Sequence, residues 1–172
     1  MKNFPIIDKE TGREYWISRS VAVIAFVYAY DKYKNKYILA IQRGKGTPDP
    51  EYIGKWCLPC GYLDYDESLN QAVSREVFEE SGIKIAPNNF KFININSDPN
   101  SDKRQNVGVR FEYTIRSLNV DEIPLTSKYS EKDEVCGITF ISINNIENYE
   151  WSFNHQELIK EISFKKEKTT TL

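Results

Sequence analysis

Five side chains in one short stretch have the types and spacing to do chemistry together: Glu67, Arg75, Glu76, Glu79 and Glu80. On a helix turning about 100° per residue, Glu76, Glu79 and Glu80 fall within an arc of about 100°. Three carboxylates held there repel one another. Arg75 reaches Glu79 one turn further on, but one cation cannot balance three anions. A hard divalent ion such as Mg2+ or Mn2+ suits clustered carboxylate oxygens. The competing reading is a solvated, glutamate-rich helix face, the usual state of a charge run.

The element that must position these residues is punctuated at both ends. Ser68 followed by Gln71 forms a capping box, and Gly82 after Ser81 is the left-handed residue that stops a helix. The segment between them is about 14 residues, roughly 21 Å of helix. A core-facing stripe laid from Leu69 takes in Leu69, Ala72, Val73, Glu76, Val77 and Glu80. It starts apolar and ends acidic. Carboxylates leaning towards the buried side are costly unless paired, and a local rule broken at one place marks a functional site.

From Gly61 to Ile83 the chain reads G-Y-L-D-Y-D-E-S-L-N-Q-A-V-S-R-E-V-F-E-E-S-G-I. Gly61, Glu67, Arg75, Glu76, Val77, Glu79, Glu80, Gly82 and Ile83 occupy every specified position of G-x5-E-x7-R-E-U-x-E-E-x-G-U, with U aliphatic. The stretch thereby resembles the Nudix hydrolase signature. That resemblance implies an α/β fold, the Nudix-type α/β/α sandwich with a mixed β-sheet. It also implies hydrolysis of a nucleoside diphosphate linked to another moiety, by water attacking a phosphorus of the pyrophosphate. Carried over residue by residue, Glu76, Glu79, Glu80 and the Gly61 carbonyl match the metal-binding positions for Mg2+ or Mn2+. Glu76 serves as ligand or water-activating base, Arg75 orients the glutamates, and Glu67 holds Arg75 or a water. In this family the general base can lie outside the signature. Glu131 and Glu134, just before the last predicted strand, are candidates, and Glu134 is preferred. The alternative is a Nudix-like domain that binds a nucleotide-derived ligand as a regulator without cleaving it. The intact glutamate set favours the enzyme.

Upstream, Arg43 to Gly54 (R-G-K-G-T-P-D-P-E-Y-I-G) is a long loop, more often functional than idle in a compact domain. Arg43 and Lys45 are candidate phosphate contacts; two ordinary surface cations is the competing reading. Room in this loop for a second moiety favours a nucleotide sugar or dinucleotide over a nucleoside triphosphate. Trp56 is a candidate substrate contact, and Tyr52, Phe111 and Tyr113 are further platforms for a base. Trp56-Cys57-Leu58-Pro59-Cys60 resembles the thioredoxin W-C-x-P-C motif, but the helix starts about eight residues too late to activate a thiol there. A zinc site from Cys57, Cys60, Cys136 and His155 lacks paired ligand spacing, so packed thiols are expected. His155, the only histidine, sits at a predicted helix start and suits capping or packing. In Nudix sequences this approach usually reads W-x-x-P-G-G; Cys60 replaces the first glycine, a poor choice if that position needs positive φ.

The remaining elements follow from periodicity. Ser20 to Tyr30 is nearly continuously apolar, as in a strand covered on both faces, and Tyr37 to Gln42 returns as its hairpin partner. Phe90 to Asn96, Val107 to Ser117 and Val135 to Ser142 read as further strands, and Asn154 to Lys165 as a closing helix. Residues 1–172 make one domain, with 1–15 a lead-in or added edge strand and 165–172 a disordered tail. A formal charge of −2 gives no general reason to bind nucleic acid, and no apolar run is long enough to span a bilayer. The expected partner is a small nucleotide-derived substrate, with a homodimer left open, and the cytoplasm is the default compartment.

Overall fold

The computed structural model describes residues 2–165. It opens with a two-stranded antiparallel ribbon, β1 (Phe4–Ile7) and β2 (Glu14–Ile17). The turn between them is tied by the Asp8 carboxylate, which accepts the Glu10 and Thr11 N–H groups at 2.8 and 3.0 Å. The ribbon is a sheet of its own. Of the two readings of the N-terminal stretch, a lead-in or an added edge strand, the second does not hold: β1 and β2 pair with each other and not with the main sheet.

β3 (Val21–Tyr30) and β4 (Lys36–Arg43) form the expected antiparallel hairpin, but they pair only near its tip, from Tyr28↔Ile38 to Tyr30↔Lys36. Below that they diverge. The wedge between them is filled by two short strands, β5 (Trp56–Cys57) zipped to β4 through Ile41↔Cys57, and β6 (Cys60–Tyr62) zipped to β3 through Val23↔Gly61. The helix α1 (Leu69–Ser81) follows, then β7 (Lys91–Asn96), β8 (Val107–Asn119), β9 (Val135–Ser142) and α2 (His155–Lys165). β8 runs parallel to β3, with β7 antiparallel at its far side, and β9 lines the outer edge of β4. The seven strands make one mixed sheet.

Each face of that sheet is covered by a helix. On one side Ala72, Val73 and Val77 of α1 pack on Val23, Ala25, Val27, Leu39 and Ile41. On the other, Ile159 and Ile162 of α2 pack on Phe26, Tyr28, Ile38 and Ile141. Burial of both faces explains why β3 reads as an apolar run rather than an alternation. The result is the α/β/α arrangement expected. α1 has the predicted ends: Ser68 and Gln71 form both bonds of the capping box, and Gly82 closes the helix at φ 76°. α2 is described as far as Lys165, the first residue of the tail expected over 165–172, and 166–172 lie outside the described residues. Among the described residues no helix is long and apolar enough to cross a membrane.

Candidate active site

The diverging β3 and β4 leave an opening that α1 covers with its acidic half. Gly61, set by its pairing with Val23, faces Glu76: a Cβ there would fall 2.1 Å from Glu76 Oε1. Close approach, not an unusual backbone angle, excludes a side chain at this position. Cys60 lies in the extended β6 strand and is not among the residues with positive φ, so a cysteine fits where the resemblance has glycine. Its N–H donates to Glu80 Oε2 at 3.0 Å.

Arg75 organises the rest. Its Nε and Nη2 donate to the two oxygens of Glu67 at 3.1 and 2.7 Å. Nη1 donates to Glu76 Oε1 at 2.7 Å and Glu79 Oε2 at 3.1 Å, and Nη2 also donates to the Tyr62 carbonyl at 3.0 Å. Glu67 in turn accepts the Asp64 N–H at 2.9 Å. The fork geometry of a guanidinium lets one side chain orient three carboxylates and the β6 backbone together. The contacts of Tyr62 O and Cys60 N–H are made by the main chain, so no side-chain pattern announces them.

The carboxylates differ in environment. Glu80 is 2% exposed, and burial, reinforced by the nearby Cys57 thiol and Glu76, pushes its pKa well above the ordinary range. Burial likewise pushes Glu76 up to about 7, opposed by Arg75. Arg75 has its own charge reinforced by Glu67, while burial works against it. Among the described residues no three His, Cys, Asp or Glu side chains are already gathered around one point as a metal site. Arg75 takes up Glu76 and Glu79, and Cys60 takes up Glu80. The donor set nonetheless fits a hard divalent cation: three carboxylates from consecutive turns, two of them in buried surroundings that disfavour their charge.

Glu134 precedes β9 and is half-buried, and burial raises its pKa against the opposing charge of Arg43. Its segment is stitched to the 43–47 loop. Gly44 N–H donates to Glu134 O at 2.6 Å, and Gly46 N–H to Asp133 O at 2.7 Å. Glu131, the other candidate base, is exposed. Arg43 is no surface cation: it is 7% exposed, its Nε donates to Thr47 Oγ1 at 2.9 Å, and its guanidinium lies 5.1 Å from the Phe153 ring. Lys45, two residues on, is exposed. Across the opening Arg104 donates to Asp49 Oδ1 at 2.5 Å and to the Tyr62 hydroxyl at 3.2 Å, joining the 97–106 loop to the 43–54 loop.

The aromatic candidates are not gathered here. Trp56 packs with the α2-side cluster, edge-on to Tyr149, so the sheet separates it from α1. Phe111 is in the core, Tyr113 packs near Phe90, and Tyr52 packs on Phe153. His155 is buried, and its Nδ1 accepts the Leu58 N–H at 2.9 Å. Burial, with Arg43 and Arg110 nearby, lowers its pKa to about 3, so it stays neutral and pins α2 to the β5–β6 turn. Cys57 is buried and Cys60 half-buried, on either side of the Leu58-Pro59 turn, whereas Cys136 is exposed and directs its thiol to the Arg43 carbonyl at 3.3 Å.

Comparison with known proteins bears on the fold. An ADP-ribose pyrophosphatase of Methanocaldococcus jannaschii is 27% identical over 128 residues, 74% of this chain and 66% of the relative, just under two thirds of its length. The NUDIX domain of Shewanella oneidensis NrtR, solved with ADP ribose, superposes with a TM-score of 0.69 at 20% identity, covering 87% of this chain and 89% of that one. A bifunctional NMN adenylyltransferase/ADP ribose pyrophosphatase of Francisella tularensis, solved with AMP and a manganese ion, gives 0.65 at 23% identity, covering 86% of this chain and 42% of that one. The family profile of the NUDIX domain matches residues 18–162, nearly the whole of the described fold, and the chain belongs to that family.

Proposed function

We propose that the protein is a metal-dependent pyrophosphohydrolase acting on a nucleoside diphosphate linked to a second moiety, with ADP-ribose the first substrate to try. The single observation that carries this reading is the cost built into α1. Glu76 and Glu80 are held in buried positions that disfavour their charge, beside a Gly61 kept bare for Glu76. A helix designed only to pack would place apolar residues there. The pyrophosphatase relative and the ADP-ribose seen in the NrtR domain support the choice of substrate.

Glu76, Glu79 and Glu80, with the Gly61 carbonyl, are the groups that would hold Mg2+ or Mn2+. When bound, the ion supplies positive charge for the phosphates and makes water more acidic. Arg75 keeps Glu76 and Glu79 aligned and, through Tyr62 O, fixes the backbone at Gly61. Glu134, its pKa raised by burial, is suited to accept the proton of the attacking water. Water then adds to one phosphorus, the bridging P–O bond breaks, and a nucleoside monophosphate leaves. Arg43, buried behind these groups, compensates the acidic cluster electrostatically instead of meeting substrate. Lys45, exposed on the 43–54 loop, and Arg104, which ties that loop to the 97–106 loop, are the cations we assign to the second moiety.

The test is a panel of ADP-ribose, nucleotide sugars and dinucleotides with Mg2+ or Mn2+, assayed for monophosphate release by wild type and Glu80→Gln. Release by wild type alone is expected. Binding of the same compounds without turnover would instead support the regulator reading.

A further inference from the structure

The cysteine pair has a place in the fold that the hydrolytic reading does not use. Cys57 ends β5 and Cys60 begins β6, so the Leu58-Pro59 turn sets the two cysteines three residues apart on the two short strands that share the wedge between β3 and β4. The turn is held on both sides: Pro59 O accepts the Ala25 N–H at 2.9 Å, and the Leu58 N–H donates to His155 at 2.9 Å. Cys57 is wholly buried and paired with Ile41, whereas Cys60 is half-buried. The same residue, Cys60, donates its N–H to Glu80 and precedes Gly61. The third cysteine, Cys136, lies apart, directed at the Arg43 carbonyl.

We propose that Cys57 and Cys60 are a modification site, a dithiol that closes reversibly to a disulfide and thereby disables the glutamate site. The closure itself is independent of the hydrolase reading; its consequence for turnover rests on it. With a peroxide as oxidant, the sulfur of Cys60, the less buried of the two residues, attacks the O–O bond. An alcohol, or water from hydrogen peroxide, departs and leaves a sulfenic acid. The Cys57 sulfur then displaces the hydroxyl, the S–S bond forms, and a second molecule of water leaves with the Cys57 proton. The two electrons given up by the sulfurs reside in the cleaved peroxide. A small dithiol reverses the change by two exchange steps.

Bond formation brings the sulfurs to about 2.05 Å. Both are laddered, Cys57 to Ile41 and Cys60 to Ile24, but Cys57 is wholly enclosed and Cys60 is not, so the displacement falls on Cys60 and on the peptide that holds Glu80. Disulfides in reducing compartments are characteristically transient and sensing, which suits a pair placed beside a site rather than in a structural framework.

The experiment compares reduced and hydrogen peroxide-treated protein, wild type and Cys57→Ala, with Cys136→Ser as a control against intermolecular pairing. Three readouts are used. The first is the mass of the unreduced tryptic peptide 56–75, which contains both cysteines. The second is Mn2+ affinity by electron paramagnetic resonance, and the third is ADP-ribose hydrolysis. Peptide 56–75 is expected to be lighter by two hydrogens after oxidation, Mn2+ binding and turnover at least ~10-fold weaker, and all three restored by dithiothreitol. Cys57→Ala is expected to keep Mn2+ binding through the treatment. An unchanged peptide mass overturns the proposal, as does oxidised wild type that binds Mn2+ like the reduced form. Equal loss of binding in Cys57→Ala does the same. The mass and Mn2+ readouts hold for wild type alone should the variant not fold, and neither needs turnover, so absence of hydrolysis would count against the hydrolase reading only.

Discussion

Glu80 meets one backbone donor, from Cys60, in a pocket 2% exposed, and without a bound cation its charge is poorly compensated. Removing that charge should therefore have opposite effects on chemistry and on stability. Glu80→Gln is expected to lower turnover by roughly a thousandfold while raising the stability of the metal-free protein by about 1–2 kcal/mol at pH 8. Thermal unfolding in chelator checks the second half, and a rise in Tm of roughly 2–8 °C corresponds to it. A variant less stable than wild type in chelator would contradict the account of Glu80. Gly61→Ala probes the neighbouring contact. Its Cβ cannot coexist with Glu76 in place, so Glu76 must rotate away and activity should drop on the order of 100-fold with the fold retained. Circular dichroism and steady-state rates together check this. Glu76 itself, with a pKa near 7 against an ordinary 4.5, sets a pH dependence. Its folded pKa is raised, so its contribution to stability is full below about pH 4.5 and is lost as pH rises through about 7. Metal-free protein should thus lose on the order of 2 kcal/mol of stability between pH 5 and 8, and Glu76→Gln should flatten that slope in pH-dependent melts.

At the scale of elements, the site depends on short segments being stitched together. The 43–47 loop holds the Glu134 segment through Gly44 and Gly46, and a Cβ at Gly44 would lie 2.2 Å from Asp133 O. Gly44→Ala should displace Glu134 and lower kcat by about 10-fold with a smaller effect on KM, read from initial rates. His155→Ala removes the buried acceptor of the Leu58 N–H and leaves a cavity, costing about 2–4 kcal/mol in denaturant unfolding, with kcat at low temperature nearly unchanged. The legibility of these elements in the sequence varies for physical reasons. α1 is specified locally: Ser68, Gln71 and Gly82 act within a few residues of where they stand, so its ends could be read directly. The β5–β6 wedge is not, because Ile41↔Cys57 and Val23↔Gly61 are pairings between distant segments. Arg43 reads as exposed because it opens a Gly-rich loop. Its burial depends on Phe153, far along the chain, folding over it. Trp56 reads as a substrate platform until the strand register turns it to the α2 side.

For the whole molecule, the two-layer cover of the sheet was legible as composition and order: apolar β3, a helix after the loop, a closing helix. The V-shaped divergence of β3 and β4 was not, yet it is what opens the sheet beneath α1 and lets acidic residues share a space with the core. The ribbon β1–β2 stays outside that sheet, as a lead-in and not as an added edge strand. The carboxylates and the Arg75 fork of α1, the bare Gly61 of β6 and Glu134 just before β9 converge from three separate segments, and this convergence is the account's central claim about function. It is tested most directly by incubating wild type and Glu80→Gln with ADP-ribose and Mg2+ or Mn2+ and separating the products. The account predicts AMP and ribose 5-phosphate from wild type and roughly a thousandfold less from the variant. No turnover of ADP-ribose, nucleotide sugars or dinucleotides, or equal turnover by both proteins, would contradict it.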